Sequence, residues 1–229
     1  MPQPATAVAI TVAFALIGLL PLACRSLKGL ALWVCLAAGV GAGFVAREAV
    51  SLAADFLAPY IPGIGTSSGA TSTLALATLV GELLKALVPL IVIVSIPVTA
   101  PVGLALGAAS GAGFGAVIIY QGLTMVLGLV GSPIITPASA ILAVAGWFFR
   151  LLSHILTTAY VGRAAVRGGF LVALLVAWAI HVGLNLADLL PLLRGVPTGL
   201  VVTTLVSIGL YIYLWSVRRP AEARVPESP

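Results

Sequence analysis

The chain has 229 residues, of which 61% are hydrophobic and only 7% are charged. Soluble domains carry about 25% charged residues, so this composition excludes a water-exposed globular surface and predicts a multi-pass protein of the cell membrane. The net charge of +5 comes from eleven basic and six acidic side chains. A basic excess on a membrane protein usually reports its orientation in the membrane. The sequence contains no basic run with interleaved aromatic residues, which is the pattern that would suggest nucleic-acid binding. The lipid bilayer is therefore the expected partner, and nucleic acid is not.

Long apolar runs, separated by charges and by Gly/Pro breaks, predict the secondary structure. Each run is close to the ~20 residues that a helix needs to cross the hydrocarbon core. Strand signals are weak, and a helix satisfies its own backbone groups in lipid. The sequence therefore predicts an all-α transmembrane helical bundle of about seven spans. The runs are 5–23, 28–46, 78–99, 103–130, 137–160, 168–190 and 197–217.

The remaining segments belong to one transmembrane domain, which we place at 1–219. Residues 47–60 mix charged and apolar side chains, which favours an interfacial helix. Residues 61–73 are rich in Gly and Ser and predict a loop. The last ten residues, 220–229, are polar and Pro-containing, and they predict a disordered cytoplasmic tail.

The distribution of Lys and Arg predicts that the N-terminus is outside and the C-terminus is cytoplasmic. With seven spans, this orientation places seven basic residues on the cytoplasmic side and two outside, as the positive-inside rule requires. The cytoplasmic set is Arg25, Lys28, Arg163, Arg167, Arg218, Arg219 and Arg224, and the outer set is Arg47 and Arg194.

Six ionisable residues fall inside the predicted spans: Glu82, Lys85, Arg150, His154, His181 and Asp188. A charge at the bilayer centre costs roughly 2.5–3.5 kcal/mol on insertion scales, so such residues normally face a bundle interior or a cavity. Glu82 and Lys85 are three residues apart and therefore adjacent on a helix. They form either an ion pair that lowers the cost of insertion or a functional carboxylate oriented by a cation.

Two of the spans carry a histidine with a small polar residue four positions later. These pairs are His154 with Thr158, and His181 with Asn185. Imidazole is the commonest metal ligand and transfers protons near neutral pH, and a polar neighbour can fix its tautomer. Asp188 either joins the face of His181 or marks the end of that helix.

A third pattern is a run of small residues at four-residue spacing, which predicts close helix–helix packing in a bilayer. It consists of Gly103, Gly107, Gly111 and Gly115.

In order and spacing, four short motifs resemble those of the PrsW-type intramembrane proteases, which are relatives of the type II CAAX prenyl endopeptidases. That family carries an EExxK motif, a GxGFxxxE-like segment, an HxxxT-like segment and a final HxxxN or HxxxD. The matching segments are GELLK at 81–85, GAGFGAVI at 111–118, HILTT at 154–158 and HVGLN at 181–185.

The resemblance implies an intramembrane endopeptidase that cuts a membrane-embedded peptide. Glu82, His154 and His181 would line a cavity in the membrane. In a metal-dependent version His154 and His181 would ligate Zn²⁺. In a metal-free version a Glu and a His would activate water, and His181 with Asn185 would stabilise the oxyanion. The supporting residues would be Lys85, Phe114, Thr158 and Asp188.

The chain departs from the family pattern at two carboxylates. Gly81 replaces the first Glu of EExxK, and Ile118 replaces the Glu expected four residues after Phe114. These losses favour an alternative, a catalytically inactive scaffold or a subunit that binds a partner helix. A proton-coupled transporter is a third hypothesis, because intramembrane Glu, Lys and His also form ion relays. We find no pair of related halves to support it.

Overall fold

The computed structural model describes residues 4–19, 22, 29–60, 70–129, 136–188 and 198–222. All regular secondary structure within these ranges is helical, which confirms the predicted all-α bundle. The helices are α1 (Pro4–Leu19), α2 (Leu30–Leu57), α3 (Ala70–Ser95), α4 (Ala100–Leu129), α5 (Pro137–Val166), α6 (Phe170–Ala187) and α7 (Thr198–Glu222).

The helix lengths support fewer membrane spans than the apolar runs predict. Among the described residues, five helices are long and apolar enough to cross a membrane, namely α3 to α7. Helix α2 becomes a sixth only if its two arms, which are bent by 51°, are counted as one span. Helix α1 has 16 residues and, at 1.5 Å per residue, falls short of the ~30 Å hydrocarbon core. The prediction of about seven spans is therefore not supported.

The region between the second and third runs differs from its prediction. Residues 48–57 are helical, but they continue α2 beyond a bend instead of forming a separate element. Helix α3 begins at Ala70, so the end of the predicted 61–73 loop is its first turn. Several predictions lie outside the described residues: the rest of that loop, the tail beyond residue 222, and Arg25, Lys28 and Arg194.

Short connections make α3 with α4 and α5 with α6 neighbours, as expected for helical hairpins. Residues 96–99 form the α3–α4 connection. Gly168 in the α5–α6 connection has a φ of 78°, a conformation that glycine adopts without a steric cost. Helix α5 begins with Pro137, and the Thr136 side chain accepts a hydrogen bond from the Ser139 amide. This is a conventional N-cap.

Helix α4 is the centre of the bundle and contacts α1, α2, α3 and α5. Its glycines lie against α5, where a side chain would collide with the backbone. A Cβ at Gly107 would meet the carbonyl oxygen of Thr158, and one at Gly111 would meet that of His154. On another side of α4, a Cβ at Gly113 would meet the carbonyl of Leu36 in α2. The predicted close packing is confirmed, and it fixes the position of α5 along the axis of α4.

This packing predicts a strong positional effect along α4. Gly107→Leu should force α4 and α5 apart and lower the melting temperature, because overpacking of this kind costs about 1–3 kcal/mol or more. Gly128→Leu is the matched control, since nothing lies within 4 Å of a Cβ at Gly128. Thermal unfolding in detergent measures both variants. Equal melting temperatures would contradict the close α4–α5 contact.

Candidate functional site

Three helices bring their ionisable residues together at one point in the bundle. Glu82 and Lys85 come from α3, His154 from α5 and His181 from α6. Glu82 and His181 are each 2% exposed and Lys85 is 0% exposed. Buried charges are stable only when they are paired and hydrogen-bonded. The four side chains are therefore one mutually compensating cluster, which we call the Glu–Lys–His cluster.

The ammonium of Lys85 joins α3 to α5. Its Nζ donates to Glu82 Oε1 at 2.5 Å and lies 3.2 Å from His154 Nδ1. An ammonium has three donors and no acceptor, so Nδ1 of His154 must be the acceptor. The proton of neutral His154 therefore resides on Nε2. The tautomer is set by Lys85 and not by Thr158, whose hydroxyl donates to the His154 backbone carbonyl at 2.8 Å.

His181 lies on the other side of the carboxylate. Its Nδ1 is 2.5 Å from Glu82 Oε1, but the approach lacks hydrogen-bond geometry, and Nδ1 has no hydrogen-bond partner among the described residues. Its Nε2 lies 3.4 Å from the hydroxyl of Ser153. The rings of His154 and His181 are stacked, with centroids 4.6 Å apart and planes at 18°. Both contacts to Glu82 are made by Oε1, so Oε2 is the oxygen left for another partner.

Phe114 of α4 packs against the Glu–Lys–His cluster. Its ring packs edge-on against His154, with centroids 5.5 Å apart. Nζ of Lys85 lies 5.4 Å from the centroid of the same ring, within the range of a cation–π interaction. The predicted supporting roles of Lys85 and Phe114 thus correspond to direct contacts with the cluster.

Asn185 and Asp188 occupy different positions although both follow His181 on α6. The amide of Asn185 donates to Thr78 Oγ1 at 3.0 Å, and that hydroxyl donates to the Leu74 carbonyl at 2.7 Å. Asn185 is thereby oriented against α3. Asp188 is the C-cap residue of α6 and forms an ion pair with Arg150, so it lies at the helix end and outside the Glu–Lys–His cluster.

A cavity of about 600 Å³ opens onto the cluster. We call it the α2–α3 cavity, because α2 on both sides of its bend and α3 supply much of its wall. Gly81 and Ile118 both line it, so the two carboxylates that the family pattern would add fall at cavity positions. The polar residues on its wall are Glu48, Thr78, Glu82, Lys85, Gln121, Arg150, His154, His181 and Asn185.

Three nitrogen and oxygen atoms of the cluster could hold a metal ion. One ligand atom each from Glu82, His154 and His181 lies within 4.8 Å of the others. Two imidazoles and a carboxylate are also the ligand set of many catalytic zinc sites. The ammonium of Lys85 contacts two of these three residues, so a divalent cation would have to displace it.

Sequence reasoning gave no role to Arg150 or to Ser153. Arg150 precedes His154 by one helical turn and lines the same cavity, and the Ser153 hydroxyl lies between the Arg150 carbonyl and His181. The usable signal for Arg150 was its spacing of four from His154 within a charge-poor span. Ser153 carried no such signal, because serines are common in apolar helices.

Comparison with known proteins gives no relative: no protein-family model, no curated protein and no solved structure matches the chain.

The Glu–Lys–His cluster predicts strong coupling between its two charges. Glu82→Gln or Lys85→Met alone should destabilise the protein by about 3–5 kcal/mol, because each leaves an unpaired buried charge. The double variant should be less destabilised than the sum of the two. A double-mutant cycle on unfolding in detergent measures the coupling. Additive effects would contradict the contact between the two groups.

Proposed function

We propose that this protein is an intramembrane peptidase that uses Glu82 to activate water without a metal ion. The observation that carries the proposal is a buried glutamate on the wall of a cavity, which contacts Lys85 and His181, while Lys85 in turn contacts His154. Pocket residues whose protonation depends on burial and charged neighbours are typical of catalytic sites. The resemblance of the four motifs to PrsW-type proteases supports the same reaction class.

In the proposed reaction Oε2 of Glu82 takes a proton from a water molecule in the α2–α3 cavity. The water oxygen then attacks the carbonyl carbon of a peptide bond, and the carbonyl electron pair moves to oxygen. When the C–N bond breaks, Glu82 returns its proton to the leaving nitrogen. The products are a carboxylic acid and an amine, and the oxygen atom of the water is incorporated into the new carboxyl group.

The oxyanion is stabilised by donors that already have a fixed orientation. Nε2 of His154 carries the ring proton because Lys85 engages Nδ1. The Asn185 amide has a second N–H beyond the one that it gives to Thr78. Preorganised donors of this kind contribute about 2.7–4 kcal/mol each. His154 suits this role better than His181, because Nε2 of His181 already lies 3.4 Å from the hydroxyl of Ser153.

The proposed membrane arrangement keeps the N-terminus outside and the C-terminus in the cytoplasm. It requires the bent α2 and the 16-residue α1 each to cross the membrane as one span. The excess of Lys and Arg assigned to the cytoplasmic side supports it.

Replacement of the base tests the reaction. Glu82→Gln should lower cleavage of quenched-fluorescent transmembrane peptides in liposomes by at least about 100-fold, the usual minimum contribution of general acid–base catalysis. Asp55→Asn is the control, because Asp55 is an exposed carboxylate on the far arm of α2. In H₂¹⁸O, mass spectrometry should find one ¹⁸O in each new C-terminus.

Glu82→Asp keeps the negative charge in case Glu82→Gln fails to fold. This variant should also lose activity, because a shorter side chain withdraws the carboxylate from the attacking water. Wild-type cleavage rates in folded Glu82→Gln or Glu82→Asp would overturn the proposal. A complete lack of cleavage by the wild-type protein would favour the inactive scaffold.

The contacts of Lys85 disfavour the metal-dependent alternative, and replacing this lysine tests it. Purified wild-type protein should bind no stoichiometric Zn²⁺, since the Lys85 ammonium contacts Glu82 and His154, two of the three ligands. Lys85→Met removes the cation but keeps all three ligands, and it should bind about one Zn²⁺ per chain. Adding His154→Ala to Lys85→Met should abolish this binding.

Elemental analysis after dialysis against Zn²⁺ measures these proteins. One Zn²⁺ per wild-type chain that is lost in His154→Ala would establish the metal-dependent mechanism instead.

A further inference from the structure

Arg150 has an unused donor group inside the bundle. Its Nη2 forms an ion pair with Oδ2 of Asp188. Its Nη1 is buried and has no hydrogen-bond partner within the part of the chain that the structure describes. A buried donor without a partner costs about 1–3 kcal/mol, and more when the group is charged. One terminal nitrogen of the guanidinium, Nη2, therefore has a partner, and the other, Nη1, has none among the described residues.

Arg150 lies beside the cavity in which a substrate of the proposed reaction would bind. Arg150 lines the α2–α3 cavity together with His154, which follows it by one turn on the same face of α5. Arg150 also lines a second cavity of about 400 Å³, on the side of α7. Arg150 therefore stands at the boundary of the two cavities, one of which contains the Glu–Lys–His cluster.

No carboxylate of the described residues is available to accept a hydrogen bond from Nη1 of Arg150. Glu82 forms ion pairs with Lys85 and His181 but none with Arg150 among the described residues, and Asp188 already contacts Nη2. Glu48 is exposed on the α2 wall of the same cavity and forms no ion pair with Arg150 among the described residues. The missing acceptor must therefore come from outside this set.

We infer that Nη1 of Arg150 binds a carboxylate of the peptide substrate, either an acidic side chain or the chain terminus, near the bond that is cut. The inference rests on the proposed peptidase function. A carboxylate suits this position better than a phosphate. Asp188 already supplies one negative charge to the guanidinium, and it would repel a phosphate monoester, with a charge near −2, more strongly than a carboxylate.

The spacing on α5 limits where the carboxylate can lie. Residues one turn apart have Cβ atoms about 5–6 Å apart, and an extended peptide advances about 3.3–3.6 Å per residue. Allowing for the reach of the arginine side chain, the carboxylate is one to three residues from the scissile bond. The substrate is thus a membrane peptide with an acidic group close to its cleavage site.

Paired peptides test this specificity. Once mass spectrometry has located a cleavage site, transmembrane peptides with Glu or Gln one to three residues away are compared. At the best position wild-type protein should prefer Glu at least tenfold in kcat/KM, which is about 1.4 kcal/mol. Arg150→Gln should reduce this ratio to about one. Arg163→Gln, a matched change on α5 outside both cavities, should leave it intact.

A binding measurement separates this inference from the peptidase proposal. The probes are dodecanoate and dodecanol, and binding is followed by the change in tryptophan fluorescence, to which Trp147 contributes because it lines both cavities. Dodecanoate should bind at least tenfold more tightly than dodecanol to the wild type and to Glu82→Gln, but not to Arg150→Gln. If Arg150→Gln does not fold, Arg150→Gln with Asp188→Asn removes both charges together and should likewise abolish the preference.

Two results would overturn the inference while leaving the peptidase proposal standing. The first is Glu82-dependent cleavage with neither a Glu preference nor a dodecanoate preference. The second is tighter binding of dodecyl phosphate than of dodecanoate at Arg150, which would assign the site to a lipid headgroup. Conversely, Arg150-dependent dodecanoate binding without any peptide cleavage would support the carboxylate site and remove the peptidase function.

Discussion

The ammonium of Lys85 is the contact on which the candidate site depends. It neutralises Glu82 on its own helix, and it reaches across to His154 on α5. In one position it therefore compensates a charge, fixes a tautomer and ties two helices together. A guanidinium in its place would supply a planar fork instead of a compact charge. Without the lysine, Glu82 would be a buried carboxylate facing two imidazoles.

The second requirement is a rigid support for that contact, and α4 provides it. Because Gly111 has no side chain, the backbone of α5 can lie against α4 at His154 itself. Ser110, the neighbouring residue, donates its hydroxyl to the carbonyl of Lys85 at 2.6 Å. Helix α4 thus holds the backbone of both residues that meet through the ammonium. Packing and chemistry are linked through two adjacent positions on one helix.

Much of this arrangement could be predicted from the sequence, and the reason is the membrane. In a chain with so few charges, each intramembrane ionisable residue stands out, and Glu82, Lys85, His154 and His181 do meet. The glycine spacing on α4 indicated a packed face in the same direct way. Both signals reflect a free-energy cost that depends on the residue itself: the cost of placing a charge in lipid, or of placing a side chain between two packed helices. Such a cost can be recognised without knowing the fold.

Other features depend on contacts between helices and were beyond such reasoning. Thr158 was expected to orient His154, but its hydroxyl bonds within its own helix, and Lys85 has that task. Asp188 was assigned to either the site or the helix end, and it pairs with Arg150. The count of about seven spans is not supported by the described helices, and hydrophobicity alone does not reveal a bend such as that of α2. The partners of His154 and of Asp188 are distant in sequence, and spacing carries no information about them.

The charge balance of the bundle has an electrical consequence. Glu82 with Lys85, and Arg150 with Asp188, each sum to zero, so these two ion pairs offer no net charge on which the membrane voltage can act. A single added charge is different, since moving it across the full membrane involves about 2.3 kcal/mol per 100 mV. The arrival of one carboxylate in the α2–α3 cavity would therefore be a step whose equilibrium depends on the voltage of the cell.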